Sequence, residues 1–271
     1  MDKLVLYATD GKIGIVTLNR PTKLNAINAE LRVHLVEALR TADTDPSTSV
    51  VILRAEGRSF CAGFDVGGGE AEKDPWRHDA LRWHAHLRGS LAMQMMPWEM
   101  KKPVIASVQG HALGGGCEIA MLCDLTIAAD NAVFGEPEIR FSDVGPAVVM
   151  PWVIGLKKAR ELLYLGDTID AETALRLGMV NRVVPLAELR EATLKFARRL
   201  SLVAPEALYA AKLAINRGAD AAGFHNAMNA GLDIVAPLYA ASTEEGRRFN
   251  EITRKDGLGA ALKWRSAQFA E

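Results

Sequence analysis

The chain is organised around one segment, Val108-Gln109-Gly110-His111-Ala112-Leu113-Gly114-Gly115-Gly116-Cys117-Glu118-Ile119-Ala120-Met121-Leu122-Cys123-Asp124. Residues 103–109 read as an apolar strand, and the apolar positions after the three glycines predict a helix. Glycines at such a turn let the backbone approach a ligand and leave helical N–H groups free at the positive end of the dipole. Glu118 lies in the first helical turn. Taken alone, the segment fits an oxyanion site or a close-packed turn with a helix-start acid.

On the N-terminal side, the pattern alternates between strands and a helix. Residues 4–8 and 13–18 are strand-like, with a turn at 9–11 between them. Asn28 is suited to cap a helix. One face of this helix is apolar, formed by Leu31, Leu35, Ala38, Leu39 and Ala42. A fully apolar strand follows at 50–53, so the order predicts a layered α/β fold.

On the C-terminal side, strands give way to helices. Residues 125–129 and 179–184 are predicted strands. Helices are predicted at 79–96, 159–165, 171–177, 186–202, 205–217, 224–239, 242–253 and 258–269. The change to helix alone places a domain boundary near 185–200, which divides the chain into a core at 1–195 and a helical region at 196–271.

Composition excludes several classes of protein. The 271 residues are 49% hydrophobic and carry a net charge of −1, so a large core is expected and a nucleic-acid partner is not. The N-terminal residues do not resemble a signal peptide, and no apolar run reaches the roughly 20 residues that span a bilayer. Three cysteines without a CxxC pair are typical of a reducing compartment. We therefore expect a cytoplasmic protein with no membrane partner.

Two groups of reactive side chains invite a functional interpretation. Cys61 follows a predicted strand without an activating base nearby in sequence, which favours a packing role over a nucleophile. His78, His84 and His86 lie close together, but the latter two point to different faces of a helix and no further ligand completes a metal site. We expect no metal. The segment 70–74 is predicted to be a charged loop.

A second acidic segment follows the strand at 125–129. Pro137 directs the chain into Glu138, so that Glu118 and Glu138 both flank glycine-containing turns. Glu136 is predicted to be a solvated loop acid.

Six motifs together resemble the crotonase family, the enoyl-CoA hydratases and isomerases. They occur in the family's order from about residue 11 to residue 269. They are Asn19-Arg20-Pro21-Thr22-Lys23-Leu24-Asn25-Ala26, Ser59-Phe60-Cys61-Ala62-Gly63-Phe64-Asp65, Gly110-His111-Ala112-Leu113-Gly114-Gly115-Gly116-Cys117-Glu118, Phe134-Gly135-Glu136-Pro137-Glu138, Gly166-Asp167-Thr168-Ile169 and Ala174-Leu175-Arg176-Leu177-Gly178-Met179-Val180-Asn181.

The resemblance implies an α/β fold, a crotonase-like spiral of β-β-α turns with a helical C-terminal region that mediates trimer formation. Trimers in this family commonly pair into hexamers. It also implies an acyl-CoA thioester substrate, with coenzyme A as part of the substrate and no separate cofactor.

The resemblance assigns the reaction to two acids and two backbone donors. Glu118 and Glu138 match the glutamates that hold water over a 2-enoyl-CoA double bond, and Ala62 and Gly115 match the oxyanion-hole donors. Having both acids favours hydration to a 3-hydroxyacyl-CoA. Contacts to the substrate and its coenzyme A are expected from Lys23, Ala26, Arg58, Ala62, Gly63, Phe64, Asp65, Gly114 and Trp264.

The chain departs from the family pattern in two places. Segment 139–151 is shorter than usual and places Pro146, which has no N–H, where a glycine N–H holds the water. Gly145 after a one-residue shift, or a different water site with Asp143 as a third acid, remain alternatives. Near the C-terminus, Ala261 and Trp264 replace an aromatic residue and a lysine that contact adenine across the subunit boundary. Trp264 then either stacks on the adenine or packs in the core.

Other activities stay open at the level of sequence. Within the family these are isomerase, decarboxylase, dehalogenase and thioester hydrolase reactions. A non-catalytic RNA-binding relative conflicts with the net charge of −1 and the lack of a basic stripe. A Clp-type serine protease conflicts with the absence of a Ser-His-Asp set in suitable motifs.

Overall fold

The fold was analysed in a computed structural model, which describes residues 3–66, 78–241 and 243–269. The strands are β1 (Val5–Asp10), β2 (Ile13–Leu18), β3 (Val50–Ala55), β4 (Val104–Val108), β5 (His111–Leu113), β6 (Leu125–Ala129), β7 (Val133–Gly135), β8 (Thr168–Asp170) and β9 (Arg182–Val184). The helices are α1 (Ala29–Thr44), α2 (Ala80–Glu99), α3 (Gly115–Leu122), α4 (Met150–Ile154), α5 (Leu156–Leu165), α6 (Ala171–Arg176), α7 (Leu189–Leu200), α8 (Pro205–Ala221), α9 (Phe224–Ala241), α10 (Glu244–Asp256) and α11 (Leu258–Ser266). The predicted charged loop at 70–74 lies outside the described residues.

The larger sheet has six strands in the order β1-β2-β3-β4-β6-β9. Only β1 and β2 pair antiparallel, and the other neighbours are parallel. Strands β2 and β4 are buried along their whole length, as expected for parallel strands covered on both faces. Helix α1 begins where predicted, because the Asn28 side chain accepts a hydrogen bond from the Leu31 N–H at 2.8 Å. The prediction of a layered α/β fold is confirmed.

A smaller sheet of three strands, β5-β7-β8, brings the acidic segments together. Strands β5 and β7 run parallel, with Leu113 opposite Gly135 at their ends. The Gly114 N–H donates to the Gly135 carbonyl at 2.9 Å. Because strands β5 and β7 end at the same edge of the sheet, helix α3 and the short 3₁₀ turn Pro137–Phe141 begin side by side. Glu118 lies on α3 and Glu138 lies on this turn.

The C-terminal helices pack on the core from two directions. Helix α9 lies along α2, and α10 and α11 contact the 3₁₀ turn Pro137–Phe141. Helix α8 is fixed by Lys212, whose buried ammonium donates to the Pro97 carbonyl and pairs with Asp124 at 2.7 Å. The division at 195 stays a prediction. Several large apolar side chains of α8 and α9 remain exposed, among them Ile215 at 70% and Ile234 at 75%.

Most predicted elements lie where the sequence placed them, with shifted ends. Strands β2 and β6 have the predicted bounds. The predicted helix at 186–202 divides into a 3₁₀ turn (Leu186–Glu188) and α7, and the helix predicted from 242 begins at Glu244 after the cap residue Thr243. No helix in the described part of the chain is both long and apolar enough to cross a bilayer.

Candidate active site

Glu118 is held inside the protein by a glycine turn. Gly114 has φ +49° and ψ −125°, a conformation that L side chains rarely adopt, and α3 starts at the next residue. All eight residues of α3 are buried, and Glu118 has 0% of its surface exposed. Its carboxyl lies near the N-terminal end of the helix dipole. A carboxyl so deeply buried needs hydrogen-bond partners.

Two groups from different elements supply those partners. The Gln94 amide on α2 donates through Nε2 to Oε2 of Glu118. The Ala147 N–H donates to Oε1 at 3.0 Å. Burial, together with the charge of Glu138, raises the pKa of Glu118 well above its usual value. The two hydrogen bonds oppose that rise, because they stabilise the charged form.

Glu138 occupies the opposite wall, on the 3₁₀ turn Pro137–Phe141. A Cβ added to Gly114 would lie 2.7 Å from Oε1 of Glu138, so only glycine leaves room for this carboxyl. Burial raises the pKa of Glu138 to about 7, a hydrogen bond from its own backbone N–H lowers it, and the charge of Asp143 raises it. A carboxyl with this pKa exchanges a proton readily near neutral pH.

The shortened segment at 139–151 reaches Glu118 despite lacking an N–H at Pro146. A Cβ added to Gly145 would overlap Oε1 of Glu118, so the Gly145 backbone lies directly against the carboxyl. Ala147 supplies the N–H that donates to that oxygen. Both residues named in the predicted alternatives lie near an acid of the site. Gly145 lies against Glu118, and the charge of Asp143 raises the pKa of Glu138.

The prediction of a solvated Glu136 is wrong. Glu136 is only 5% exposed, because β7 carries the chain directly into the protein interior. Burial, then the charges of Glu118 and Glu138, raise its pKa well above the usual value. Its Oε1 has no hydrogen-bond partner among the described residues. The site therefore holds three carboxyl groups that are close enough to influence one another, two of them buried and the third, Glu138, partly accessible.

The loop after β3 runs beside the glycine turn. Gly63 has φ +92°, and a Cβ there would lie 2.9 Å from the Leu113 carbonyl and 3.6 Å from the Gly115 nitrogen. The aromatic ring of Phe64 packs on Gly115, since a Cβ on Gly115 would lie 2.7 Å from Phe64 Cε2. Glycines at both turns thus bring two backbone segments close together.

The hydrogen bonds correct the assignment of one backbone donor. The Ala62 N–H is not free, because it donates to the Leu24 carbonyl at 3.0 Å. Ile27 and Phe64 form a parallel β-bridge. The Ile27 N–H donates to the Gly63 carbonyl, and the Asp65 N–H donates to the Ile27 carbonyl. The N–H of Phe64 therefore points away from Ile27. Among the described residues, no backbone hydrogen bond uses the N–H of Phe64 or of Gly115.

The residues predicted to contact the substrate fall into two groups. Ala26 lies with the loop at 62–65, because Arg20 donates to the Ala26 carbonyl at 2.9 Å and pairs with Asp65 at 2.7 Å. Asp65 is thereby committed to holding the loop. Lys23 and Arg58 are exposed.

Trp264 lies half-buried on α11, where the guanidinium of Arg265 is 5.8 Å from its ring centre. Ala261 on the same helix is fully buried. Because Arg265 also donates to the Arg140 carbonyl, α11 is tied to the turn that carries Glu138.

Cysteine and histidine take structural positions. Cys61 is fully buried, as expected of a packing residue, and burial raises its pKa to about 12, which disfavours nucleophilic chemistry. His84 contacts Asp233 at 2.9 Å, and His78 contacts the Ala240 carbonyl at 3.2 Å. Within residues 3–66, 78–241 and 243–269, no group of three or more potential ligands is placed to hold a metal ion.

Sequence reasoning did not identify Gln94, and it named Phe64 only as a substrate contact and not as a backbone donor. Gln94 interrupts the apolar face of α2 that Leu87, Leu91 and Met95 share at helical spacing, and this was a usable signal. The free N–H of Phe64 had no signal in the sequence, because it depends on which neighbours Ile27 bonds.

Known proteins that are similar to this chain identify its family. A family model described as enoyl-CoA hydratase/isomerase matches residues 8–251. A probable enoyl-CoA hydratase of Mycobacterium tuberculosis is 34% identical, with 98% of this chain and 97% of the relative covered. A crotonyl-CoA hydratase of Syntrophomonas wolfei is 32% identical, with the same coverage of 98% and 97%.

Solved structures are similar over the same length. An enoyl-CoA hydratase/isomerase from Xanthobacter autotrophicus Py2 superposes with a TM-score of 0.94 at 35% identity, covering 99% of each chain. An enoyl-CoA hydratase from Mycobacterium smegmatis has a TM-score of 0.88 at 26% identity, covering 98% of this chain and 94% of the other. The resemblance found in the sequence is confirmed, and the chain belongs to the enoyl-CoA hydratase/isomerase family.

Proposed function

We propose that this protein is an enoyl-CoA hydratase, which adds water to a 2-enoyl-CoA and yields a 3-hydroxyacyl-CoA. The observation that carries the proposal is the meeting of Glu118 and Glu138 at one glycine turn, beside two backbone N–H groups that have no backbone partner among the described residues. Its relatives in Mycobacterium tuberculosis and Syntrophomonas wolfei have names that denote this reaction. The reaction needs no cofactor, since coenzyme A is part of the substrate.

The two N–H groups would bind the thioester oxygen. Gly115 retains its predicted role, and Phe64 takes the place of Ala62, whose N–H already has a partner. As water adds to Cβ, the π electrons move towards the carbonyl and negative charge develops on that oxygen. Two aligned donors stabilise this enolate, and losing one of them typically costs about 3 kcal/mol.

The two acids would move the protons. Glu118 accepts a proton from water as the new Cβ–O bond forms, and Glu138 gives a proton to Cα as the enolate collapses. One proton is therefore taken up and one released, so a single water is added in total. Two carboxyls that share a dry site cannot both be ionised readily. The mechanism needs the proton on Glu138, and the hydrogen bonds from Gln94 and from the Ala147 N–H favour the charged form of Glu118.

An isomerase is the second candidate, favoured by one observation. Both oxygens of Glu118 already accept hydrogen bonds from the protein, and its surface is 0% exposed. If Glu118 serves only to hold the loop at 145–147, then Glu138 alone remains to carry a proton between two carbons. This is the chemistry of an enoyl-CoA isomerase.

Assembly and location belong to the same proposal. We infer a trimer or hexamer, because Ile215 on α8 and Ile234 on α9 would otherwise leave large apolar surfaces in water. We infer a cytoplasmic location from the free thiols of Cys61, Cys117 and Cys123, which are typical of a reducing compartment. Light scattering at micromolar concentration should give at least three times the 29.4 kDa of one chain. A monomer would contradict the inference.

The activity is tested with a panel of 2-enoyl-CoA and 3-enoyl-CoA thioesters of increasing length. Hydration predicts loss of the conjugated enoyl absorbance and a product heavier by one water. Isomerisation predicts interconversion of the two substrates without a change in mass. Turnover of neither class by the folded oligomer would contradict both candidates.

A further inference from the structure

Gln94 is a polar side chain in a position that favours apolar ones. It lies in α2 with 0% of its surface exposed, on the face that carries Leu91 and Met95. Burying an amide is costly unless its groups are hydrogen-bonded. Its Nε2 donates to Glu118, whereas Oε1 has no partner among the described residues. The amide is therefore directed at Glu118 rather than at the surrounding core.

The Glu118 carboxylate accepts hydrogen bonds from two sides. Gln94 donates to Oε2 from α2, and the Ala147 N–H donates to Oε1 from the loop on the other side. Each carboxylate oxygen can accept two hydrogen bonds. The two donors thus fix the plane of the carboxylate and still leave one acceptor direction on each oxygen.

We propose that Gln94 is a positioning residue for the hydration reaction, and that its amide orients Glu118 toward the reacting water. The inference rests on the proposed function. The unpartnered Oε1 adds a second role. After Glu118 takes a proton from water, a turned-over amide accepts the new O–H through Oε1. One side chain therefore satisfies Glu118 both as carboxylate and as acid, which Leu or Met at this position cannot do.

Gln94 is uncharged, so replacing it alters one hydrogen bond without changing the charge of the site. The titratable groups that face Glu118 are Glu138 from the 3₁₀ turn, Glu136 from the end of β7, Tyr239 from α9 and Cys117 from α3 itself. All four stay in place in a Gln94 variant. A change in the pH profile then reports on Glu118 through the lost donor.

The first experiment compares Gln94→Met with Met93→Leu, a volume-conserving change of the neighbouring core residue. For Gln94→Met we expect kcat to fall about 10-fold, with KM within about 2-fold and the acid limb of kcat/KM moved up by about one pH unit. Met93→Leu should match the parent in all three. A Gln94→Met enzyme with the parent pH profile would overturn the proposal, whatever its kcat.

A second variant keeps the test decisive where Gln94→Met does not fold, as judged by its thermal unfolding. Gln94→Glu has the same shape, but the introduced carboxyl donates only when protonated. We expect near-parental kcat/KM at the acidic end of the profile and a steeper loss than the parent's as pH rises. A loss that is equal at every pH would overturn the proposal, because it would indicate a structural defect alone.

A double-mutant cycle with Glu118→Gln locates the effect. If Gln94 acts through Glu118, adding Gln94→Met to Glu118→Gln should lower kcat by less than about 2-fold. A full additional 10-fold loss would show that Gln94 acts elsewhere.

Infrared spectroscopy separates this inference from the proposed function. The carboxylic C=O stretch of Glu118, identified by its absence in Glu118→Gln, is titrated in the parent and in Gln94→Met. We expect the midpoint to move to higher pH in the variant. If the parent does not hydrate any enoyl-CoA, the proposed function fails, and a moved midpoint still supports the contact. An unmoved midpoint overturns the inference even in an active hydratase.

Discussion

Glu118 and Glu138 are the same residue type in one site, but the protein holds them differently. Glu118 projects from a fully buried helix, with a donor on each oxygen. Glu138 lies on a short 3₁₀ turn and is partly accessible, and burial raises its pKa to about 7. One carboxyl is fixed in place by hydrogen bonds, and the other is poised to exchange a proton.

The difference shows how one fold obtains two functions from one chemical group. Hydrogen bonds to a carboxylate favour its charged form, and burial with few partners favours its neutral form. A base needs the first environment and an acid the second. The elements that carry them also differ, because α3 is packed inside the core whereas the turn of Glu138 is covered by α10 and α11.

The largest effect is expected for Glu138→Gln. The amide keeps the shape but cannot give a proton to Cα, so kcat for hydration should fall about 10²–10⁴-fold with little change in substrate binding. Steady-state assays with a short 2-enoyl-CoA measure this. A variant with parental kcat would remove Glu138 from the mechanism.

Glu118→Gln tests whether both acids take part in the reaction or only Glu138 does. A hydratase needs Glu118 to activate water, so kcat should fall at least about 10²-fold. An isomerase should tolerate the change with a much smaller loss, because Glu138 alone moves its proton. Parental hydration by Glu118→Gln would leave Glu118 with a structural role only.

Gly145→Ala tests the fixed carboxyl without changing either acid. The added Cβ would overlap Oε1 of Glu118 and must displace it, and a displacement near 1 Å can lower the rate by about 10²-fold. Gly218→Ala is the matched control, because Gly218 on α8 has no atom within 4 Å of the new methyl group. Similar activity of the two variants would contradict the placement of Glu118 beside Gly145.

The elevated pKa of Glu138 should appear in the pH dependence of stability. Its pKa is about 7 in the folded protein against an ordinary value of 4.5, so between these pH values the folded state binds more protons than the unfolded state. The free energy of unfolding therefore falls as pH rises through this interval, by up to about 3 kcal/mol from this group. Urea titrations of the parent and Glu138→Gln measure the difference. Parallel curves would show that Glu138 has an ordinary pKa.

The sequence determined much of the fold and less of the site. Long periodic segments such as β2 and α1 were predicted with their buried faces, because burial on one side leaves a regular apolar pattern. The three-residue strands β5, β7 and β8 were missed, since three residues are too few to show a period. These unpredicted strands are the ones that bring Glu118 and Glu138 together.

The errors in the site have the same origin. The family resemblance assigns the donor to Ala62, and the sequence alone cannot correct this, because the direction of an N–H is not visible in a sequence. The prediction of a solvated Glu136 fails because nothing local in the sequence reveals that β7 carries this residue inward.

Glu136→Gln should have the smallest effect, and it tests whether Glu136 is a third acid that takes part in the reaction. At 5% exposure Glu136 is almost as buried as Glu118, but its Oε1 has no partner among the described residues. Burial and the two nearby carboxylates raise its pKa well above the usual value, which favours the neutral form of Glu136. Glutamine is neutral and has nearly the same shape, so kcat at pH 7 should stay within about 3-fold of the parent, less than 1 kcal/mol. A loss as large as that of Glu138→Gln would mean that Glu136 supplies or stores a reacting proton, and the assignment of the chemistry to Glu118 and Glu138 alone would fail.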